Sequence, residues 1–180
     1  MAQYAGNCGE GLQGTPVVDR LVEVYREQQE VLRASEAPPA DEAGIVELYR
    51  SAVLALGKIA DPRSQAFFRA EVDRVADPYV NCRAADFFAK NTTKQDLDAF
   101  RRSVLRCISA NDADKPMPMS IARSSIILLQ KWVHEHSLPP LPEDLATMTP
   151  VRRAEAISGW FDEHRQRIES SLPAAAAESR

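Results

Sequence analysis

The sequence predicts an all-α protein built from antiparallel helical hairpins that stack into a short α-solenoid. Along most of the chain, apolar residues recur at steps of three and four, which is the spacing of one helix face. The pairs Asp61-Pro62 and Asp77-Pro78 mark helix boundaries, because a proline drives the preceding residue out of the α region and suits the first helical position. No segment alternates apolar and polar residues as a half-buried strand does. These boundaries divide the chain into about six long helices.

Length and composition favour a single domain. A chain of 180 residues with 44% hydrophobic residues is long enough for one packed core, which we assign to residues 15–171. Unpatterned glycines predict a flexible arm at 1–14, and an alanine-rich end predicts a disordered tail at 172–180. The chain shows neither a signal-peptide pattern nor an apolar stretch of membrane-spanning length. We therefore expect no membrane insertion and, if Met1 is the natural start, a cytoplasmic location.

The first predicted helix opens at Thr15-Pro16 and has a wide apolar face. A helix that is apolar over this width is either covered from two sides within the chain or in contact with a partner, and burial is the favoured reading. Its inner stripe comprises Val18, Leu21, Val22, Tyr25 and Leu32.

The second and third predicted helices flank Asp61-Pro62, in the stretch 51–69 that forms the central hairpin of the predicted fold. Asp41 is the expected N-cap of the second helix. A short connection would make the two helices antiparallel, and such a pair needs stacked neighbours to cover its apolar faces. The expected stripe of the second helix is Ile45, Leu48, Tyr49, Ala52, Leu56 and Ile59, and that of the third is Phe67, Phe68, Val72 and Val75.

Residues 55–63, which read ALGKIADPR, resemble the turn region of HEAT-type helical repeats, particularly the short bacterial kind. In that family a small-Leu-Gly run precedes an Asp-Pro-Arg turn. The resemblance implies an α-solenoid that acts as a binding scaffold. The alternative is an ordinary helical hairpin within another all-α bundle.

Three further helices follow residues 79–90, where Asn91-Thr92 replaces the Asp-Pro turn. Thr93 and Asp96 resemble a capping box that opens the next helix. Residues 111–118 form a polar loop, which is either an insertion or an exposed binding loop. Residues 121–136 are the most hydrophobic, so we expect that helix to be central. Thr149-Pro150 opens the last helix, with Ile157, Trp160, Phe161, His164 and Ile168 on one side.

The cysteines predict neither a disulfide framework nor a metal site. Cys8, Cys82 and Cys107 are an odd number without metal-binding spacing. Cys82 and Cys107 could approach each other across an antiparallel helix pair, but they lie nine and fifteen residues from the turn at Asn91-Thr92, so we do not expect a disulfide bond between them. Cys8 has no positively charged neighbour to lower its pKa, which weakens its case as a reactive thiol.

We find no catalytic motif, and we expect no metal and no cofactor. His134 and His136 are two positions apart, whereas two helix-borne zinc ligands need a spacing of four. His164 lies on an apolar stripe and is interpreted as a core histidine.

Basic residues supply the candidate partner-binding site. In a HEAT-like stack the second helix of each hairpin lines the concave surface, where a basic strip could hold an acidic peptide or a phosphate. Acidic residues alternate with this strip, so an ordinary salt-bridged surface is the favoured alternative. Arg152-Arg153 opposes the dipole of the last helix, which is weak evidence for a further partner contact. The strip comprises Arg69, Arg74, Arg101, Arg102 and Arg106.

The sequence thus favours a non-catalytic interaction scaffold or adaptor that binds a partner protein or peptide. A net charge of −4 makes nucleic acid an unlikely main partner. One alternative is a HEAT-like enzyme that attaches bilins to proteins or acts on nucleic acid. The other is a structural subunit of a larger complex.

Overall fold

The computed structural model describes residues 9–34, 41–74, 77–110 and 120–174, and within these ranges it contains seven α-helices and no strand. Two 3-10 turns, Gly9–Leu12 and Lys94–Asp96, accompany them. The all-α class is therefore confirmed, with one more long helix than predicted. The helices are α1 (Pro16–Ala34), α2 (Glu42–Leu56), α3 (Pro62–Arg74), α4 (Pro78–Asn91), α5 (Leu97–Ile108), α6 (Ile121–Glu135) and α7 (Pro150–Ser171).

The chain divides into two compact units, Met1–Glu71 (unit 1) and Val72–Arg180 (unit 2), and the boundary falls inside α3. The single domain at 15–171 and the HEAT-like stacking of hairpins stay predictions. None of the described helices has the length and apolar character that crossing a membrane requires. The polar loop at 111–118 lies outside the described residues.

Helix boundaries fall where side-chain caps were predicted. The Asp41 carboxylate accepts the N–H of Gly44 at 3.3 Å, and Asp77 accepts that of Tyr79 at 2.8 Å. Before α5, Thr93 and Asp96 form the predicted capping box, in which the Thr93 N–H donates to the Asp96 carboxylate at 3.1 Å. These contacts satisfy N–H groups that have no partner within the helix.

In unit 1 the most extensive helix packing is between α1 and α2, not between the predicted pair α2 and α3. Five residues, 57–61, separate α2 from α3, so the connection is longer than a tight hairpin requires. The predicted stripe of α2 is wrong at Leu48, which is 44% exposed, whereas Ile59 is buried as predicted although it lies beyond the helix end. The buried face of α2 comprises Tyr49, Ala52, Val53, Ala55 and Leu56.

An aromatic group joins the three helices of unit 1. The Tyr25 ring of α1 lies edge-on to Phe67 of α3, with 4.9 Å between ring centroids, and 6.1 Å from Tyr49 of α2. Val18, Leu21 and Tyr25 are buried as predicted, whereas Val31 is 44% exposed. The far end of the wide α1 face is therefore open within unit 1. Val75, predicted for the α3 stripe, lies outside the described residues.

In unit 2 the central helix is α5, which packs against α4, α6 and α7. The expectation that residues 121–136 would be central is wrong, and Ile127 of α6 is 52% exposed. Composition misled because α5 buries small residues, Ala99, Ser103 and Cys107, as well as large ones. A high content of large apolar residues in one helix therefore did not predict its position.

Large aromatic side chains fill the core of unit 2. The Phe100 ring of α5 lies 4.8 Å from Trp132 of α6 and 6.3 Å from Phe161 of α7, between ring centroids. The Trp160 Nε1–H donates to the Pro140 carbonyl at 3.0 Å. These contacts connect α5 with α6, α7 and the segment between them.

Ordered contacts extend past both predicted domain limits. The Gly14 N–H donates to the Asp61 carboxylate at 2.7 Å. At the other end Leu172 is buried, and the Lys94 N–H donates to the Pro173 carbonyl at 3.3 Å. Cys8 and the outer parts of the predicted arm and tail lie outside the described residues.

Candidate functional site

The candidate site is a groove in unit 2 with a volume of about 520 Å³, which we call the α5 groove. It lies between the first turn of α4, the end of α5 and the first residue of α6. Among the described residues, apolar side chains from all three helices form most of its lining, together with one cation and two neutral polar groups. The lining residues are Pro78, Asn81, Leu105, Arg106, Ser109, Ala110 and Ile121.

A chain of hydrogen bonds places the Arg106 guanidinium in this groove. Asn81, which is only 2% exposed, donates from Nδ2 to the Asp77 carbonyl at 2.9 Å. Its Oδ1 then accepts from Nη1 of Arg106 at 3.4 Å, and the same guanidinium donates to the Val72 carbonyl. Arg106 is thus held at both the α3 end and α4, although as a residue it remains exposed.

This geometry suits the binding of a ligand. Pockets that recognise ligands combine an apolar lining with a few placed polar groups, and their usual volumes are about 300–1,000 Å³. A guanidinium matches a carboxylate with two parallel hydrogen bonds. Among the residues that the structure describes, no three His, Cys, Asp or Glu side chains are grouped as metal ligands.

Of the five predicted strip arginines, only Arg106 lines the α5 groove. Arg102 of α5 reaches the end of α3, where its Nε donates to the Asp73 carboxylate at 2.8 Å. Arg74 is exposed at that same helix end, while Arg69 belongs to unit 1 and is half-buried. The role of these residues in partner binding stays a prediction.

Arg101 contacts a different helix from Arg102 and Arg106. Its guanidinium donates to both carboxylate oxygens of Asp162 at 2.6 and 2.8 Å and to the Ser158 hydroxyl at 2.6 Å, both on α7. The hydrogen bond from Arg101 is the main reason that the pKa of Asp162 is lowered. Arg101 therefore connects α5 with α7, as the salt-bridge alternative for the strip would require.

Unit 1 contains a smaller groove of about 320 Å³ between α1 and α3. Its charged lining mixes both signs, with Arg26 and Arg63 among Asp19, Glu23 and Glu71. Glu71 is buried and accepts the Tyr25 hydroxyl at 2.8 Å. Because cations and carboxylates lie together in one small groove, its described lining has no single sign of charge.

The Asp-Pro-Arg turn lies at one side of the unit 1 groove, which its Arg63 side chain lines. Asp61 is buried and accepts the backbone N–H of Arg63 at 2.8 Å and its Nε at 3.1 Å. Arg63 continues to Asp19 at 2.6 Å and to the Thr15 carbonyl at 3.0 Å. The turn thus joins the start of α3 to the start of α1.

This network changes the acidity of Asp61. Burial by itself raises the pKa of the Asp61 carboxyl, but hydrogen bonds from the Arg63 side chain and from the N–H groups of Gly14 and Arg63 outweigh it. Together they lower the pKa from 3.8 to about 2. The carboxylate is therefore a structural anion rather than a proton donor near neutral pH.

Arg153 corrects the expected second partner contact, since it is 2% exposed at the start of α7. Its guanidinium donates to the carbonyls of Ile108 at 2.6 Å, Leu145 at 2.8 Å and Met148 at 2.8 Å. The cation stands at the C-terminus of α5, where the helix dipole favours positive charge. Its dipole mismatch with α7 is thus offset inside unit 2, and Arg152 alone is exposed.

The histidines take separate positions. His134 is exposed, whereas the His136 ring packs 4.9 Å from Trp132, between ring centroids. His164 is half-buried, with its ring 5.3 Å from Trp160. Each of the last two therefore contacts an aromatic side chain of the core.

Cys82 and Cys107 do approach each other, with their sulfurs 3.2 Å apart across α4 and α5 and no disulfide bond between them. The connection between α4 and α5 extends through the 3-10 turn at Lys94–Asp96, so α5 begins only at Leu97 and the offsets counted from Asn91-Thr92 are misleading. Cys82 is nine residues before the last residue of α4, and Cys107 is ten residues after the first residue of α5.

Sequence reasoning missed most of the α5 groove. Pro78 was read only as a helix start, and Leu105 and Asn81 were not singled out. The available signal was Asn81, a polar residue next to apolar Val80 within a helix.

Searches against protein-family models, curated proteins and solved structures find no significant match to this chain.

Proposed function

We propose that this protein is a non-catalytic interaction module whose α5 groove binds a partner segment that presents an aliphatic side chain next to a carboxylate. The observation that carries the proposal is the Arg106 guanidinium in a largely apolar groove. Leu105, Ala110 and Ile121 would cover the aliphatic side chain, and Arg106 would bind the carboxylate.

The position of Arg106 supports recognition rather than general electrostatic attraction. Its contacts with Asn81 and Val72 limit the side-chain freedom that binding would otherwise remove. A guanidinium has five N–H donors in a planar fork, so it can hold structural acceptors and a ligand together. A partner without a carboxylate would lose this charge-assisted bond, which is typically worth about 1.5–3 kcal/mol.

The HEAT-like arrangement and a scaffold role belong to the same proposal. Support comes from the Asp61-Pro62-Arg63 turn, in which Asp61 caps α3 and Arg63 reaches α1. These contacts give the residues that carry the resemblance a definite structural task. A scaffold also needs little more than a rigid surface with a specific groove.

A peptide selection tests the proposal. The purified full chain selects from a displayed library of random peptides, and the affinity of a synthetic consensus peptide is measured by calorimetry. We expect the consensus to contain an aliphatic residue beside Asp or Glu. Arg106→Glu should lower the affinity for that peptide by a factor of about ten or more, which corresponds to about 1.4 kcal/mol of binding free energy.

Arg102→Glu is the matched control, because it makes the same charge change on the same helix at a residue outside the groove. It should leave the affinity within about twofold, a change of about 0.4 kcal/mol or less. Equal losses in both variants would reduce the effect to net charge and contradict the proposal, as would a consensus without acidic residues.

A second variant addresses the risk that Arg106→Glu disturbs folding through its Val72 contact. Ala110→Phe keeps Arg106 and adds volume to the groove lining. We expect it to weaken the peptide while the thermal unfolding midpoint stays near that of the natural chain. If Ala110→Phe bound the peptide with unchanged affinity, the peptide would bind outside the α5 groove and the proposal would be contradicted.

A further inference from the structure

We infer that Cys82 and Cys107 are a modification site, a dithiol that a small-molecule disulfide of the glutathione class converts into an intramolecular disulfide. Their sulfurs are 3.2 Å apart at the packed interface of α4 and α5. A disulfide bond has a length of about 2.05 Å, so closure needs a relative movement of about 1 Å. Side-chain rotation and a small helix adjustment can supply that distance.

The packing of α4 on α5 makes the pairing specific. The two cysteines stand at equivalent distances from the connection between the helices, as the offsets of nine and ten residues show. The capping box of Thr93 and Asp96 defines where the connection ends and α5 begins. The capping box thus fixes where α5 starts, and the packing of α4 on α5 then brings the two sulfurs together.

The two thiols differ in access, which orders the reaction. Cys82 is partly exposed, whereas Cys107 is 2% exposed. The hydrogen bond with Cys82 and burial both raise the pKa of Cys107. A Ser125 hydroxyl from α6 acts in the opposite direction, because its hydrogen bond favours the Cys107 thiolate. Cys82 is therefore the thiol that meets an external disulfide first.

The chemistry balances without another reagent. The Cys82 thiolate attacks one sulfur of oxidised glutathione, which forms a mixed disulfide and releases one glutathione thiolate. Cys107 then loses its proton to that thiolate and attacks the Cys82 sulfur, which releases the second glutathione. The protein gives up two hydrogens with two electrons, and the oxidised glutathione becomes two reduced molecules.

The test uses the full chain with Cys8→Ser, which removes the third cysteine. Reduced, folded protein is incubated with oxidised glutathione and quenched with acid, the remaining thiols are blocked with an alkylating reagent in denaturant so that buried Cys107 is also reached, and the masses of the tryptic peptides are measured. We expect loss of both remaining thiols and a linked pair of peptides 75–83 and 107–123, lighter by two hydrogens than their sum. Retained helical circular dichroism shows that the folded chain reacted.

Two comparisons make the outcome decisive. Cys82→Ser should leave Cys107 alkylatable with no glutathione attached to it, because the accessible thiol is gone. The same oxidation in urea should give a smaller yield of the linked pair, since the helices no longer hold the sulfurs together. Stable glutathione on Cys82 without the linked pair, or an equal yield in urea, would overturn the inference. None of these readouts requires a ligand in the α5 groove.

Discussion

Each unit uses an arginine to join helix ends, but the two arginines differ in the chemical type of their hydrogen-bond partners. In unit 1, Arg63 is paired with the carboxylates of Asp61 and Asp19. In unit 2, Arg153 is buried and has backbone carbonyls as its hydrogen-bond partners among the described residues. One arrangement depends on a titratable partner and the other does not.

This difference predicts which change in conditions or sequence destabilises each unit most. A carboxylate can be protonated, so the Asp61 network weakens in acid. Backbone carbonyls do not titrate in the ordinary pH range, but they cannot find another donor once a buried guanidinium is removed. Unit 1 should therefore be more sensitive to pH, and unit 2 to substitution of its arginine.

The largest effect is expected for Arg153→Met, which keeps a long apolar stem and deletes the guanidinium. It leaves several carbonyls of Ile108, Leu145 and Met148 without their donor, at a cost of about 1–3 kcal/mol for each buried group. We expect a loss of about 3 kcal/mol or more. Both tryptophans lie in unit 2, so urea unfolding followed by tryptophan fluorescence measures it.

The adjacent Arg152→Met is the control, because Arg152 is exposed at the start of α7. It should change the free energy of unfolding by less than about 1 kcal/mol. Similar midpoints for the two variants would show that the buried carbonyl contacts of Arg153 contribute little to stability.

A smaller and pH-dependent effect is expected for Asp61→Asn. The pKa of Asp61 is about 2 in the folded chain, below the ordinary value of 3.8, so the unfolded chain binds the proton more readily. The carboxylate contribution, about 2 kcal/mol, is present in full above pH ~4 and disappears as the pH falls towards ~2. Asp61→Asn should remove it at neutral pH.

Circular dichroism during urea unfolding at neutral and acidic pH measures this difference. The gap between the natural chain and Asp61→Asn should be widest at neutral pH and close in acid. Asp73→Asn serves as the control, since Asp73 is exposed and pairs only at the surface with Arg102. A gap that stays constant with pH would show that Asp61 acts through shape rather than charge.

The smallest effect is expected for Arg102→Ala. The ion pair of Arg102 with Asp73 has side chains that are 45% and 61% exposed, so water and salt screen it. We expect less than about 1 kcal/mol of destabilisation, with a further decrease at high salt. Thermal unfolding at low and high salt tests this, and a loss as large as that of Arg153→Met would end the distinction between buried and exposed arginines.

Local signals predicted the helix boundaries well because caps act within one turn. Asp41, Asp77 and the pair Thr93–Asp96 bind N–H groups two or three residues away, so their neighbours in sequence are also their neighbours in space. The position of a helix among others has no such local signal. The apolar helix α6 was therefore expected at the centre of unit 2, a place that α5 takes.

The candidate site shows the same limit. Arg106 was identified as a binding residue from its charge, but nothing near it in sequence distinguished it from Arg101 or Arg102. Asn81, from another helix, holds Arg106 in the α5 groove, while Asp162 of α7 holds Arg101. The contacts that separate these roles join residues far apart in the chain.

The all-helical class and most helix starts follow from the amino-acid sequence, since periodicity and capping depend on residues a few positions apart. The burial of Arg153, the position of Arg106 in a groove and the approach of Cys82 to Cys107 depend instead on how the helices pack. Each of these outcomes depends on the lateral packing of helices, which is the sum of many weak contacts between distant residues. No short stretch of sequence contains that sum.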